Sequence, residues 1–171
     1  MLRYLHSSVY IKEIPGEITL GIAILGCDVH CPDCHSSHVW DINCGNQGNV
    51  INHTELSNLI DSQYLVSCVL FYGGEWKLDA LYDLLVFCKE NYKQKLALYS
   101  GRELSYFKDN KILPYLDYLK VGAYNKQKGG LSSPSTNQRL YTIKDGKVDK
   151  NITELFWRSP IWLDKRYMKL W

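Results

Sequence analysis

No apolar run in this 171-residue chain approaches the ~18 residues a membrane-spanning helix requires, which excludes a transmembrane helix. The first seventeen residues, MLRYLHSSVYIKEIPGE, also lack the continuous apolar core of a signal peptide. The first such run, 20–25, sits behind Lys12, Glu13 and Glu17, so no signal peptide is expected. An excess of one charge is missing too. Twenty Lys and Arg face eighteen Asp and Glu, and a net charge of +2 is too balanced for a protein whose main partner is a phosphate backbone. Nucleic acid is therefore not an expected partner. There is no internal repeat, and no linker-like stretch before about residue 123. Nothing points to an oxidising compartment, so the six cysteines read as reduced and cytosolic rather than as three disulfides. A cytoplasmic protein with no membrane association is the expectation.

What remains is the composition of a compact globular domain, with length enough for one domain that buries roughly 70% of the surface its unfolded chain would expose. Short apolar runs recur at 18–25 (ITLGIAIL), 68–72 (CVLFY), 95–99 (KLALY) and 118–121 (YLKV), as expected of parallel strands covered on both faces. Helical patterns lie between them. The clearest is 78–91, where Leu81, Leu84, Leu85 and Cys88 fall at i, i+3, i+4 and i+7. Weaker helices are read at 54–62, with Thr54 as N-cap, and from 103 to about 110. Alternating strands and helices give an α/β layered sheet or a barrel. A closed eight-fold barrel normally needs at least ~200 residues, so an open sheet or partial barrel with a parallel sheet and flanking helices is expected. Segment 123–138 (AYNKQKGGLSSPSTNQ) has loop chemistry, and 141–148 (YTIKDGKV) carries an Asp-Gly hairpin signal.

Cys27, Cys31 and Cys34 crowd into eight residues directly after the first of these runs, in GCDVHCPDCHSSHVWD. Thiolates are the soft ligands preferred by iron-sulfur clusters and zinc. Zinc sites usually pair two C-x2-C knuckles, so C-x3-C-x2-C favours a cluster; a zinc site would take its fourth ligand from His35, His38 or Cys44, and disulfide pairing comes third. Cys68 and Cys88 read as small buried hydrophobes, and Cys44 is left undecided. After the second run comes Gly73-Gly74-Glu75. Two glycines let backbone approach a ligand closely, and a carboxylate can accept from an ammonium.

C-x3-C-x2-C after a first strand, with Gly-Gly-Glu after the second, resembles the radical S-adenosylmethionine (SAM) superfamily. The resemblance implies that Cys27, Cys31 and Cys34 bind a 4Fe-4S cluster whose fourth iron is chelated by the amino and carboxylate groups of SAM. It implies further that Gly73, Gly74 and Glu75 contact the SAM amino group, and that Asp33 and His35, flanking Cys34, lie near the adenine. Those two residues, and Trp76 after the Gly-Gly-Glu, depart from the aromatic flanks and the proline common in the family.

Within the superfamily, the short chain and the run SSPSTNQRLY at 132–141 are similar to the activating enzymes of anaerobic, class III ribonucleotide reductases. Tyr99-Ser100-Gly101 resembles their Thr-Gly-aromatic stretch, which puts Ser100 beside SAM. In Leu119-Lys120-Val121-Gly122 the chain departs from an Asp-Gly pattern, leaving Lys120 either a polar role at the site or that of a solvated strand-end lysine. The implied protein is one radical SAM activase domain over 1–171, a partial radical SAM barrel with a loop-rich segment at 123–139 and an aromatic, basic tail at 154–171. Its implied reaction is reductive cleavage of SAM to methionine and a 5′-deoxyadenosyl radical, which takes hydrogen from a glycine of the reductase. A flavodoxin- or ferredoxin-type protein would donate the electron, and no side chain is a general acid or base. His30 and His38 then read as polar loop residues. The alternatives are another small radical SAM enzyme, either an activase of a different glycyl-radical enzyme or a 7-carboxy-7-deazaguanine synthase-like one, and a non-catalytic zinc-binding module. A macromolecular substrate would dock on the 123–139 rim, with Arg139, and on the aromatic tail. Basic residues among aromatics can bind single strands, but packing on the core or on a partner explains that tail equally well.

Overall fold

A computed structural model describes residues 1–41 and 47–157. Cys44 and the tail beyond Trp157 lie outside the described residues. Eight strands form one sheet: β1 (Leu2–Tyr10), β2 (Thr19–Ile24), β3 (Asn49–Ile51), β4 (Cys68–Tyr72), β5 (Lys95–Tyr99), β6 (Tyr118–Val121), β7 (Arg139–Lys144) and β8 (Lys147–Asn151). Among the described residues three α-helices join them: α1 (His53–Asp61), α2 (Leu78–Asn91) and α3 (Leu104–Phe107). The strand order is β3-β1-β2-β4-β5-β6-β7-β8, with β3 and β8 at the edges. The four strands read from the apolar runs are the parallel centre, β2-β4-β5-β6. The sheet as a whole is mixed rather than parallel, because β1 and β3 pair antiparallel on one side and β7 and β8 on the other.

Alternate residues of the central strands separate two clusters. Leu20, Ile22, Val69, Phe71, Leu96, Leu98 and Leu119 pack with residues of all three helices, among them Leu56, Ile60, Leu81, Leu85 and Phe107. Cys68, Leu70, Ala97 and Tyr118 form a smaller cluster with Ile14 and Leu140. Among the described residues the helices therefore flank one face only. Strand burial is as complete as expected, since every residue of β2 and β6 is buried, but loops and segment 11–18 supply the second cover. Cys68 and Cys88 are fully buried in these clusters, and burial pushes both thiols up, that of Cys88 to about 12.

Local chemistry corrects two helix boundaries and bears out the expected hairpin turn. Asn52, not Thr54, caps α1, its Oδ1 accepting from the Glu55 amide at 2.9 Å. The helix expected over 103–110 is one turn, followed by Asp109 at a left-handed φ of 60°. Asp145 and Gly146, at φ of 51° and 71°, make the two-residue turn of the hairpin, which matches the right-handed twist of its strands.

Segment 11–18 is fastened beneath the helix-free face. Glu17 is buried, and its carboxylate accepts from Lys95 Nζ at 2.5 Å, Tyr118 OH at 2.8 Å and Ser67 Oγ at 2.7 Å. Desolvation alone would raise the Glu17 pKa, but these donors outweigh it and hold the group below its ordinary 4.5. Because the carboxylate is the form the fold prefers, its contribution is complete above pH 4.5 and is lost as the pH falls through the depressed folded value. Urea unfolding of the wild type and of Glu17→Gln between pH 7 and pH 3 is expected to show the largest stability gap at neutral pH, closing toward pH 3.

Candidate functional site

The carboxyl ends of β2, β4, β5 and β6 open onto one cavity of about 1530 Å³, on the helix-free face of the sheet. Open α/β sheets bind ligands at this end. Cys27, Cys31, Cys34 and His35 line the cavity from the loop after β2, and Gly73 and Glu75 from the turn after β4. Ser100, directly after β5, and Lys120, within β6, complete the wall. Asp33 and Gly74 belong to the same loops but are not part of the wall.

The cysteine loop is tied at its base. Gly26 and Cys27 donate their amides to Val39 O and Trp40 O at 2.7 and 3.1 Å, so 28–38 leaves and returns at one point. His30 and Asp33 have left-handed φ of 48° and 58°. Each directly precedes a cysteine, and such strained reversals in non-glycine residues gather at ligand sites. Cys31 is 7% exposed, its Sγ facing Gly101, where a Cβ would lie 3.4 Å away. Cys34 Sγ accepts from the Ser36 amide at 3.4 Å. All three thiols are free, and they face one cavity. As they stand, no three Cys, His, Asp or Glu side chains among the described residues are grouped closely enough to hold a metal ion. The donor set fits a thiolate-ligated metal or cluster in kind and in sharing one wall.

The turn after β4 holds a buried carboxylate. Gly73 and Gly74 have consecutive left-handed φ of 82° and 103°, which glycine adopts without a Cβ penalty. A Cβ on Gly74 would point toward Leu2, Ile24 and Leu81 rather than the cavity, so backbone conformation is the need for glycine here. Glu75 is 6% exposed and accepts from Ser100 Oγ. Burial pushes its carboxyl above the usual range, and the Ser100 hydroxyl draws it partly back. Lys120 is 8% exposed, which settles against a solvated strand-end lysine. Its ammonium donates to Ser100 O at 3.2 Å and Gly122 O at 3.1 Å, both neutral acceptors. Burial lowers its pKa to about 8, opposed by the thiols of Cys31 and Cys34 and the Glu75 carboxyl.

Tyr72, Tyr124 and Lys126 escaped the sequence reading. Tyr124 packs on the His35 ring with centroids 4.6 Å apart, and Lys126 reaches Asp33 at 3.4 Å, so the loop after β6 grips the Cys34 end. Tyr72 and Tyr99 end their strands edge-to-face at 5.5 Å, and Gly21 makes room, since a Cβ there would lie 2.6 Å from Tyr72. The two tyrosines directly precede Gly73 and Ser100 and stand opposite each other across the β4–β5 pairing, a placement set by register and invisible to periodicity. Arg139 is half-buried and spends Nη1 on Thr136 O at 2.5 Å and Gln138 O at 2.7 Å. Through Nη1 it clamps its own loop.

The family model of the 4Fe-4S single cluster domain matches residues 16–141. The chain belongs to this family. No curated protein matches it. The matched span of the 4Fe-4S single cluster domain begins in segment 11–18 and ends within β7, so it contains the cysteine loop, the Gly-Gly-Glu turn, Ser100 and Lys120. Membership makes the protein an iron-sulfur protein of the radical SAM-like kind. No helix among the described residues is long and apolar enough to cross a membrane.

Gly26 joins β2 to the cysteine loop at a φ of 96°, and a Cβ there would lie 2.5 Å from the Trp76 ring, whose Nε1 donates to Leu25 O at 3.2 Å. Gly26→Ala is expected to cost about 1–3 kcal/mol in urea unfolding and to shift the tryptophan emission.

Proposed function

We propose that this protein is a cytoplasmic radical SAM activating enzyme that cleaves SAM reductively and installs a glycyl radical on an anaerobic ribonucleotide reductase. The observation that carries the reading is the meeting, at one cavity, of a C-x3-C-x2-C loop, a Gly-Gly-Glu turn with a buried carboxylate, and a buried ammonium. When bound, a 4Fe-4S cluster held by three cysteines supplies a low-potential electron and one open iron, and with them the cleavage of the SAM sulfonium. Cys27, Cys31 and Cys34 would hold it, and metal binding would draw the loop inward as ligation and folding couple.

The remaining residues bind and orient. Glu75 offers a carboxylate to the SAM ammonium in exchange for its bond to Ser100, a charge-assisted contact stronger than the one it replaces. Lys120 and Ser100 would meet the SAM carboxylate, and His35 with Tyr124, beside Asp33, would bracket the adenine. The Thr136-Asn137-Gln138-Arg139 stretch backs this wall, because Gln138 and Lys120 share the Gly122 carbonyl. The cavity is wide for SAM alone, and a protein partner would complete it and exclude water. A flavodoxin- or ferredoxin-type protein would supply the electron.

Anaerobic reconstitution is expected to load about four irons per chain, the content of a cubane cluster. Cys27→Ser, Cys31→Ser and Cys34→Ser should each abolish loading, while Cys68→Ser and Cys88→Ser keep it and lose only packing stability. Stoichiometric zinc without iron, or equal loss in all five variants, refutes the ligand set. Mixing the reduced protein and SAM with a class III reductase should give a glycyl-radical signal by electron paramagnetic resonance, in step with 5′-deoxyadenosine yield. Efficient turnover of a small molecule by this protein alone, with no radical on the reductase, would overturn the partner.

A further inference from the structure

Arg102 follows Ser100-Gly101 at the carboxyl end of β5, and neither the motif reading nor the family match gives it a role. Its Nη2 donates to Asp28 Oδ2, and Asp28 lies between Cys27 and Cys31. Its guanidinium carbon sits 4.3 Å from the centroid of the Tyr106 ring in α3, so the planar head is held from one side while its edge reaches the cysteine loop. Its main chain is fixed at both ends. The Arg102 amide donates to Ser100 Oγ at 3.0 Å, the hydroxyl that bonds Glu75, and the Arg102 carbonyl accepts from the Gly122 amide at 2.8 Å. Gly101 beside it is the surface on which the loop rests, since a Cβ there would lie 3.1 Å from Val29 Cγ1 and 3.4 Å from Cys31 Sγ. Asp28, Val29 and Cys31 thus bear on Gly101 and Arg102.

We infer that Arg102 is a positioning residue for the cysteine loop: through Asp28 it sets where Cys27 and Cys31 stand relative to the Glu75–Ser100 wall. The inference rests on the cluster reading above, and its test separates the two. The side chains of the pair are 25% and 41% exposed, and ion pairs so placed add little to global stability. Arg102 Nε is buried without an acceptor among the described residues, a desolvation cost that further reduces any global gain. The effect of the pair is therefore local, on the loop. It acts on the Cys27–Cys31 half, because the Cys34 end has its own grip from Lys126 and Tyr124.

The test compares the full chain with Arg102→Ala, Asp28→Asn and Arg102→Lys. In the metal-free protein, native-state alkylation of Cys31 by iodoacetamide, followed by mass spectrometry, should be roughly tenfold faster in Arg102→Ala and Asp28→Asn, the low end of what loss of a ligand-orienting contact costs. Arg102→Lys, which keeps a cation for Asp28, should recover most of the protection. Thermal midpoints should agree among all four proteins, which a general structural role would not allow. In the iron-loaded protein, release of iron to a chelator should rise by a similar factor, with a changed paramagnetic resonance line shape of the reduced cluster. Unchanged Cys31 alkylation and unchanged iron release in both Arg102→Ala and Asp28→Asn overturn the inference. So does equal loss of protection in Arg102→Lys and Arg102→Ala. A wild type that takes up no iron, while Arg102→Ala still exposes Cys31, removes the cluster reading and leaves the positioning role standing.

Discussion

Parallel pairing of β2, β4, β5 and β6 is the constraint on which the rest of the molecule depends. Strands that run the same way cannot be joined by tight turns; each connection must cross back over a face of the sheet, and those crossings share one hand. Here the crossings put α1, α2 and α3 on a single face. Every loop that leaves a parallel strand then begins at the same end. Residues separated by almost a hundred positions, from Cys27 to Lys120, become neighbours because the strands that carry them end together. The antiparallel additions on both sides widen the sheet without moving that meeting point.

The chemistry at that end runs against folding. Glu75 and Lys120 are ionisable groups taken out of water, and their shifts have burial as the first cause, upward for the acid and downward for the base. His30 and Asp33 hold backbone angles that favour glycine. A protein selected for stability alone would keep none of these. They are retained where a ligand can return what they cost, and the apolar face beneath α2 carries the fold meanwhile.

Much of this was legible in the residues. The apolar runs at 68–72, 95–99 and 118–121 and the helix at 78–91 match the observed elements to the residue, because burial on both faces leaves an unbroken apolar string and a long amphipathic stripe leaves a 3.6 period. β1 was not legible. Beyond Tyr4 none of its residues is buried, so no apolar stripe distinguishes it, and its identity comes from pairing with β2. β3 is three residues long and exists only as a partner of β1. At the site, spacing singled out the cysteines and the Gly-Gly-Glu turn because both are local in sequence. The Asp28–Arg102 pair spans 74 positions, and the tyrosine pair under the cavity depends on register, so neither leaves a local pattern.

A sheet that does not close on itself must end somewhere, and both ends of this one are guarded. β3 is too short to template much pairing. β8 is exposed along its whole length, and its sequence KVDKN puts Lys147, Asp149 and Lys150 on that border. Charged side chains, lysine above all, make an edge a poor place for another copy of the chain to add a strand. Without such guards, an open sheet would be open to fibrous self-association along its sides. Charge on the last strand closes that side of the sheet to added strands, while the cavity opens at its end, where the loops gather.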